Sequence, residues 1–133
     1  MKKQILTILT CLASIAAFAQ TTEISANITT VNTATVSKAD GSLIWKGQTD
    51  TKSYVTITDT LVTVVDELGK ETKYRVLVNG TGLDRPTIKL MAINDLTGKF
   101  WNIVISTPDN DPNAIGIAIS DMEQDIEYLG RKL

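Results

Sequence analysis

Histidine is missing from the 133-residue chain, and its one cysteine, Cys11, lies near the start. Nucleophilic constellations of the Ser-His-Asp and Cys-His kinds are therefore excluded. Ordinary zinc sites, built on nitrogen and sulfur ligands, are excluded with them. The side chain best suited to proton transfer near neutral pH is also gone. Basic clusters are lacking too: 13 Lys and Arg stand against 15 Asp and Glu, a net charge of −2. That balance points away from nucleic acid and anionic membrane as partners. Aromatic residues make up only 5% of the chain. Trp45, Tyr54, Tyr74, Phe100, Trp101 and Tyr128 are scattered over different segments and do not gather into a stacking platform. Trp101 and Tyr74 alternate in step with aliphatic neighbours, which assigns them to a core.

Residues 1–19 read as a secretory signal peptide. Lys2 and Lys3 supply the charged start, and residues 5–18 form a mostly apolar run diluted by Thr7, Thr10 and Ser14. Ala17-Phe18-Ala19 then fits the small-x-small pattern before a cleavage point. The run falls short of the roughly 20 apolar residues a membrane helix needs. Cys11 lies in the middle of that run, behind the bulky Thr10, and is assigned to the leader rather than to lipid attachment. The expected address is the periplasm or the extracellular space. Residues 20–133, 114 in number (133 less 19), form one domain with a modest core. Loss of Lys2 and Lys3 leaves 11 basic residues against 15 acidic, a charge of −4. With no cysteine in that domain, disulfides cannot staple it. Sheet hydrogen bonding and packing must hold it together.

What is present is alternation. Residues 87–106 read as two strands folded back on each other. Ile88, Leu90 and Ala92 alternate with Lys89, Met91 and Ile93, and Trp101, Ile103 and Ile105 with Phe100, Asn102 and Val104. A period of two sends such sets to opposite faces of a sheet. Residues 94–98, Asn-Asp-Leu-Thr-Gly, supply the turn. Apolar side chains occur on both faces, so this hairpin is expected at the middle of the sheet with both sides at least partly covered.

Ahead of it, residues 23–36 form a threonine-rich first strand. Ile24, Ala26 and Ile28 share a face, and Val31 falls on the other, a phase slip that predicts a bulge or break. Ala39-Asp40-Gly41 marks a hairpin. A short strand over residues 42–46, a polar loop over 47–52, and strands over 54–58, 61–66 and 73–79 follow. In the last of these, Tyr74, Val76 and Val78 are placed on one side. Behind the central hairpin, Ile115, Ile117 and Ile119 alternate with Gly116, Ala118 and Ser120. Ser120 and Glu123 resemble a helix capping box, so the tail is read as one helical turn and then a short closing strand.

Eight or nine short strands joined mostly by hairpins predict an all-β fold, a small antiparallel up-and-down barrel or sandwich. The architecture resembles the eight-stranded lipocalin-type barrels. Their Gly-x-Trp opening is not reproduced, since Trp45-Lys46-Gly47 runs the opposite way. The resemblance implies an interior or open end that holds a small apolar ligand.

The acids gather in predicted turns, among them Asp40, Asp59, Asp66, Asp95 and Asp109, where aspartate is favoured for its own hydrogen bonding. Asp109, Asp111 and Asn113 are spaced like the start of a calcium loop. Ala114 replaces the required glycine and Ser120 the bidentate glutamate, so a hairpin loop is the simpler reading. Asp121, Glu123, Asp125 and Glu127 read as a solvated face. Residues 27–29 and 79–81 match the glycosylation sequon. No catalytic, cofactor or metal residue is assigned, and the chain is expected not to be an enzyme. A hydrolase using two carboxylates is the residual catalytic possibility.

Two functions remain. One is an exported binding barrel for an apolar ligand, which needs a cavity of about 300 Å³ or more. The other is an interaction protein with a filled core and an apolar outer patch. For the second, the threonine-rich lead over residues 21–36 is the candidate to pair with a partner's sheet.

Overall fold

The computed structural model describes residues 23–133. The predicted signal peptide lies outside the described residues. The chain forms eight strands: β1 (Ile24–Val36), β2 (Leu43–Ile57), β3 (Leu61–Val65), β4 (Glu71–Asn79), β5 (Thr87–Asn94), β6 (Lys99–Ser106), β7 (Ala114–Ser120) and β8 (Gln124–Lys132). Each pairs antiparallel with the next, and β8 returns to β1, closing an up-and-down barrel. Closure gives most of the sheet no edge to leave unpaired.

Alternation decides what lies inside. Leu90 stands opposite Ile103, Ile103 opposite Ile119, and Ile119 opposite Ile126, one inward row across four strands. Val62 stands between Ile57 and Tyr74 in the same way. Ile57, Val62, Ile103 and Ile119 have no surface that water could touch (0% exposed). The lumen between them is packed with side chains, as expected of the narrowest barrels. Each such burial contributes about 1.5–3 kcal/mol before chain entropy is counted.

Near one end of the barrel Tyr74 meets Trp101 edge-on, with ring centroids 6.0 Å apart and planes at 82°. Burial pushes the Tyr74 phenol up to about 12, with Tyr128 adding to the shift. The fold thus favours the neutral phenol. Stability is full below the unfolded value near 10 and is lost as pH rises from there to about 12. Tyr74→Phe should blunt that alkaline loss, measured by thermal unfolding from about pH 9 to 12. An unchanged alkaline limb would assign the loss to another group.

Asparagine and aspartate build the turns as their side chains dictate. Asp66 Oδ1 accepts from the Leu68 and Lys70 N–H groups, both at 2.9 Å. Asn94 Oδ1 accepts from Leu96 N–H at 3.0 Å.

Several local expectations are corrected. The segments read as a strand over 42–46, a loop over 47–52 and a strand from 54 are one 15-residue strand, β2. Its polar middle stays extended because β1 pairs along its whole length. A register shift between the Asn32 and Ala34 pairs absorbs an extra residue at Gly47, whose φ of 103° suits glycine. The phase slip expected in β1 is present as a register shift between Ile28 and Thr30, seen against both β2 and β8. A further shift between Val76 and Val78 turns Val78 outward, 56% exposed, away from the side of Tyr74. The tail has no helical turn: Asp121 Oδ1 accepts from Glu123 and Gln124 N–H, making a turn, and β8 follows for nine residues. The outer face of the central hairpin is covered only in part: Phe100 is 61% and Met91 45% exposed, while Ile93 and Val104 are half-buried.

Candidate functional site: an open strand edge

The barrel wall is incomplete at β2. Only Tyr54 to Ile57 pair with β3, as Tyr54 opposite Val65 through Ile57 opposite Val62. Residues 43–53 pair with β1 on one side and, among the described residues, with no strand on the other. β3 is five residues long against fifteen in β2, so the wall runs out. Lys52 N–H turns to the open side and donates to Glu67 Oε1 at 3.1 Å. In an antiparallel strand alternate residues direct their backbone groups to the same side. Asp50 and Gln48 therefore present N–H and C=O groups along the open edge. Beside them stand exposed Leu43, Ile44 and Trp45, the last 40% exposed.

The outer surface continues from this edge across the barrel. Trp45 lies opposite Ala34, Ala34 opposite Asp125, Asp125 opposite Ser120, and Ser120 opposite Asn102. Met91 and Val78 end the row. Phe100 and Met122 lie with Met91 around a concavity of about 480 Å³. A second groove of about 200 Å³ runs past Gly116 and Ala118, between Val104 and Leu129. It adjoins one of about 450 Å³ that reaches Pro108 and Ala114. All three are open to solvent, on the outside of the barrel. The small residues of β7 are thus the floor of an outer groove.

The acidic residues weighed from the sequence do not converge. Asp111 Oδ2 accepts from Arg131 Nη1 at 3.0 Å, and Asp111 Oδ1 caps its own loop through Asn113 N–H. The Arg131 bond holds the Asp111 carboxyl below the usual range. Asp109 and Asn113 are exposed beside it, so the spacing that resembled a calcium loop is a hairpin loop tied to β8. Among the described residues no group of three or more acidic side chains is placed to hold a metal ion. Asp95 pairs with Arg75 at 3.1 Å, and Glu123 with Lys99 at 3.6 Å. Glu127 is exposed, as expected of a solvated face, whereas Asp125 is half-buried; partial burial raises both carboxyls, and Asp125 adds to the shift at Glu127.

The segment expected to pair with a partner's sheet, residues 21–36, contains β1. β1 is bonded on both sides, to β2 and β8, and offers no edge. The edge belongs to β2. The signal for it was present in the β-branched Thr49 and Thr51, which favour extended backbone within a polar stretch. No protein-family model, curated protein or solved structure matches the chain.

Proposed function

We propose that the protein is an exported, non-catalytic interaction module that docks an extended segment of a partner protein along β2. The open edge over residues 43–53 carries this reading. Unpaired strand backbone is satisfied best by another strand, and alternate side chains beside it give specificity. Leu43, Ile44 and Trp45 supply apolar contacts at one end of the edge. The packed lumen between Ile57, Val62, Ile103 and Ile119 supports this reading over the ligand barrel. The signal-like residues 1–19 support export.

A photoreactive amino acid at position 45, in protein made in its own host, should trap a polypeptide. Asp50→Pro should then abolish binding of that partner while Tm changes little. Proline removes one N–H on the open side and leaves the β1 ladder intact, as edge strands permit. Partner binding unaffected by Asp50→Pro would sink the edge-docking reading. Native mass spectrometry provides a separate check. An extra mass of a few hundred daltons that vanishes on denaturation would restore the ligand barrel.

A further inference from the structure

β8 and β1 form the seam that closes the barrel, and one end of that seam carries an electrostatic mismatch. Asn32 stands opposite Glu127, and Ala34 opposite Asp125. Asn32 and Asp125 are therefore diagonal neighbours on the outer face of the β1–β8 pair. Oδ1 of Asn32 and Oδ1 of Asp125 are both shut off from solvent, and neither has a hydrogen-bond partner among the described residues. A buried acceptor without a donor costs about 1–3 kcal/mol. Here two such acceptors lie on one seam.

We propose that Asp125 and Asn32 form a proton-operated clasp across the β1–β8 seam. A proton on the Asp125 carboxyl lets it donate to Asn32 Oδ1, which satisfies both atoms with one bond. With the carboxylate ionised the two acceptors oppose each other, and the seam beyond them is loosened.

The surroundings favour the proton. Along the chain the charged neighbours are Glu127 on β8, Glu123 just before β8 and Asp121 just past β7. On the β7 side Asp125 faces Ser120 and then Asn102; on the β1 side it faces Ala34 and then Trp45. Lys46 follows Trp45 on β2, and Lys99 on β6 is engaged by Glu123. No lysine or arginine among the described residues forms a salt bridge with Asp125. Burial holds its carboxyl above the usual range, in agreement with the geometry. The sign follows: a carboxyl raised on folding makes the fold gain stability as pH falls through its folded value, until the unfolded value near 3.8 is reached.

Because Asp125, Ala34 and Trp45 form one row, the clasp would also stiffen the strand that presents the open edge. That consequence rests on the docking reading, whereas the clasp does not.

Asp125→Asn gives the test, because an amide supplies the donor at every pH. At pH 7.5 this variant should melt several degrees above the parent, roughly 4 °C or more. The advantage should shrink as pH falls towards 4. The Val36 N–H, which donates to Glu123 O at 2.8 Å, should exchange about tenfold more slowly in the variant at neutral pH. Asn32→Asp places two carboxyls at the clasp and should make the pH dependence steeper. A lower Tm for Asp125→Asn at neutral pH would mean that the Asn32 amide already donates to the carboxylate, and would overturn the proposal. So would a Tm gain of the parent in millimolar calcium that Asp125→Asn abolishes, which would give the gap to a cation. An Asp125 carboxyl titrating at or below its ordinary value by NMR would overturn it as well. These readouts use the isolated protein, so they fail or succeed independently of partner docking.

Discussion

Gly130→Ala is expected to destabilise the barrel by at least about 3 kcal/mol, the upper range for overpacking. Gly130 lies on β8 opposite Ile28 of β1 and Ile115 of β7. A Cβ there would stand 2.8 Å from Ile28 Cα and 2.9 Å from the Asn27 carbonyl carbon, and would overlap the Asn27 carbonyl oxygen. These are backbone atoms in the closing seam, so no rotamer change relieves the contact. The β1 shift between Ile28 and Thr30 falls at the same place, which explains the close approach of the two backbones. Relief requires the seam to part. Urea unfolding should show a lower midpoint, and amide exchange should quicken at Ala26 to Ile28 and in the last residues of β8. A loss below about 1 kcal/mol would show that the chain end gives way easily and that closure does not depend on this contact.

Ile103→Ala comes next, at about 2–5 kcal/mol. Ile103 is wholly enclosed, between Leu90 on β5 and Ile119 on β7. Removing its outer carbons loses their transfer energy and leaves a void that the ring of strands closes only in part. Small domains have only about 5–15 kcal/mol of net stability, so one such void consumes a large fraction of it. Phe100→Ala on the same strand is the control. Its side chain is 61% exposed on the outer face, and its loss should cost under about 1 kcal/mol. Equal losses at the two positions would contradict the division of β6 into a packed inner face and an open outer one. A retained hydrophobic dye signal or an altered m-value in Ile103→Ala would instead indicate an expanded native state.

Much of this division was legible in the residues themselves. Ile88, Leu90, Ala92, Ile103, Ile105, Ile115, Ile117 and Ile119 announce their inward face by alternation, because a strand offers only two directions. Asp66, Asn94 and Asp121 mark turns because their side chains reach the backbone two residues on. The absence of histidine and of cysteine in residues 20–133 excludes His- and Cys-based nucleophilic constellations by composition alone.

The rest needed distant partners. Whether residues 47–52 loop out or stay extended depends on β1 lying beside them, and their own preferences do not settle it. The register shifts at Thr29, Gly47 and Leu77 answer to a neighbouring strand, so Val78 turned outward against its local pattern. The tail carried a helix-like cap in Ser120 and Glu123, yet pairing with both β1 and β7 drew it into a strand. The open edge follows from β3 being ten residues shorter than β2, a mismatch that appears only once the two are paired. Asn32 and Asp125, whose buried oxygens lack partners among the described residues, are 93 positions apart and become diagonal neighbours only because the barrel closes. Local alternation therefore determined the all-β class, most of the turns and most of the inner face. Long-range pairing alone decided which edge stayed open and which polar residues came to share the closing seam, because hydrogen-bond register is a property of two strands and not of one.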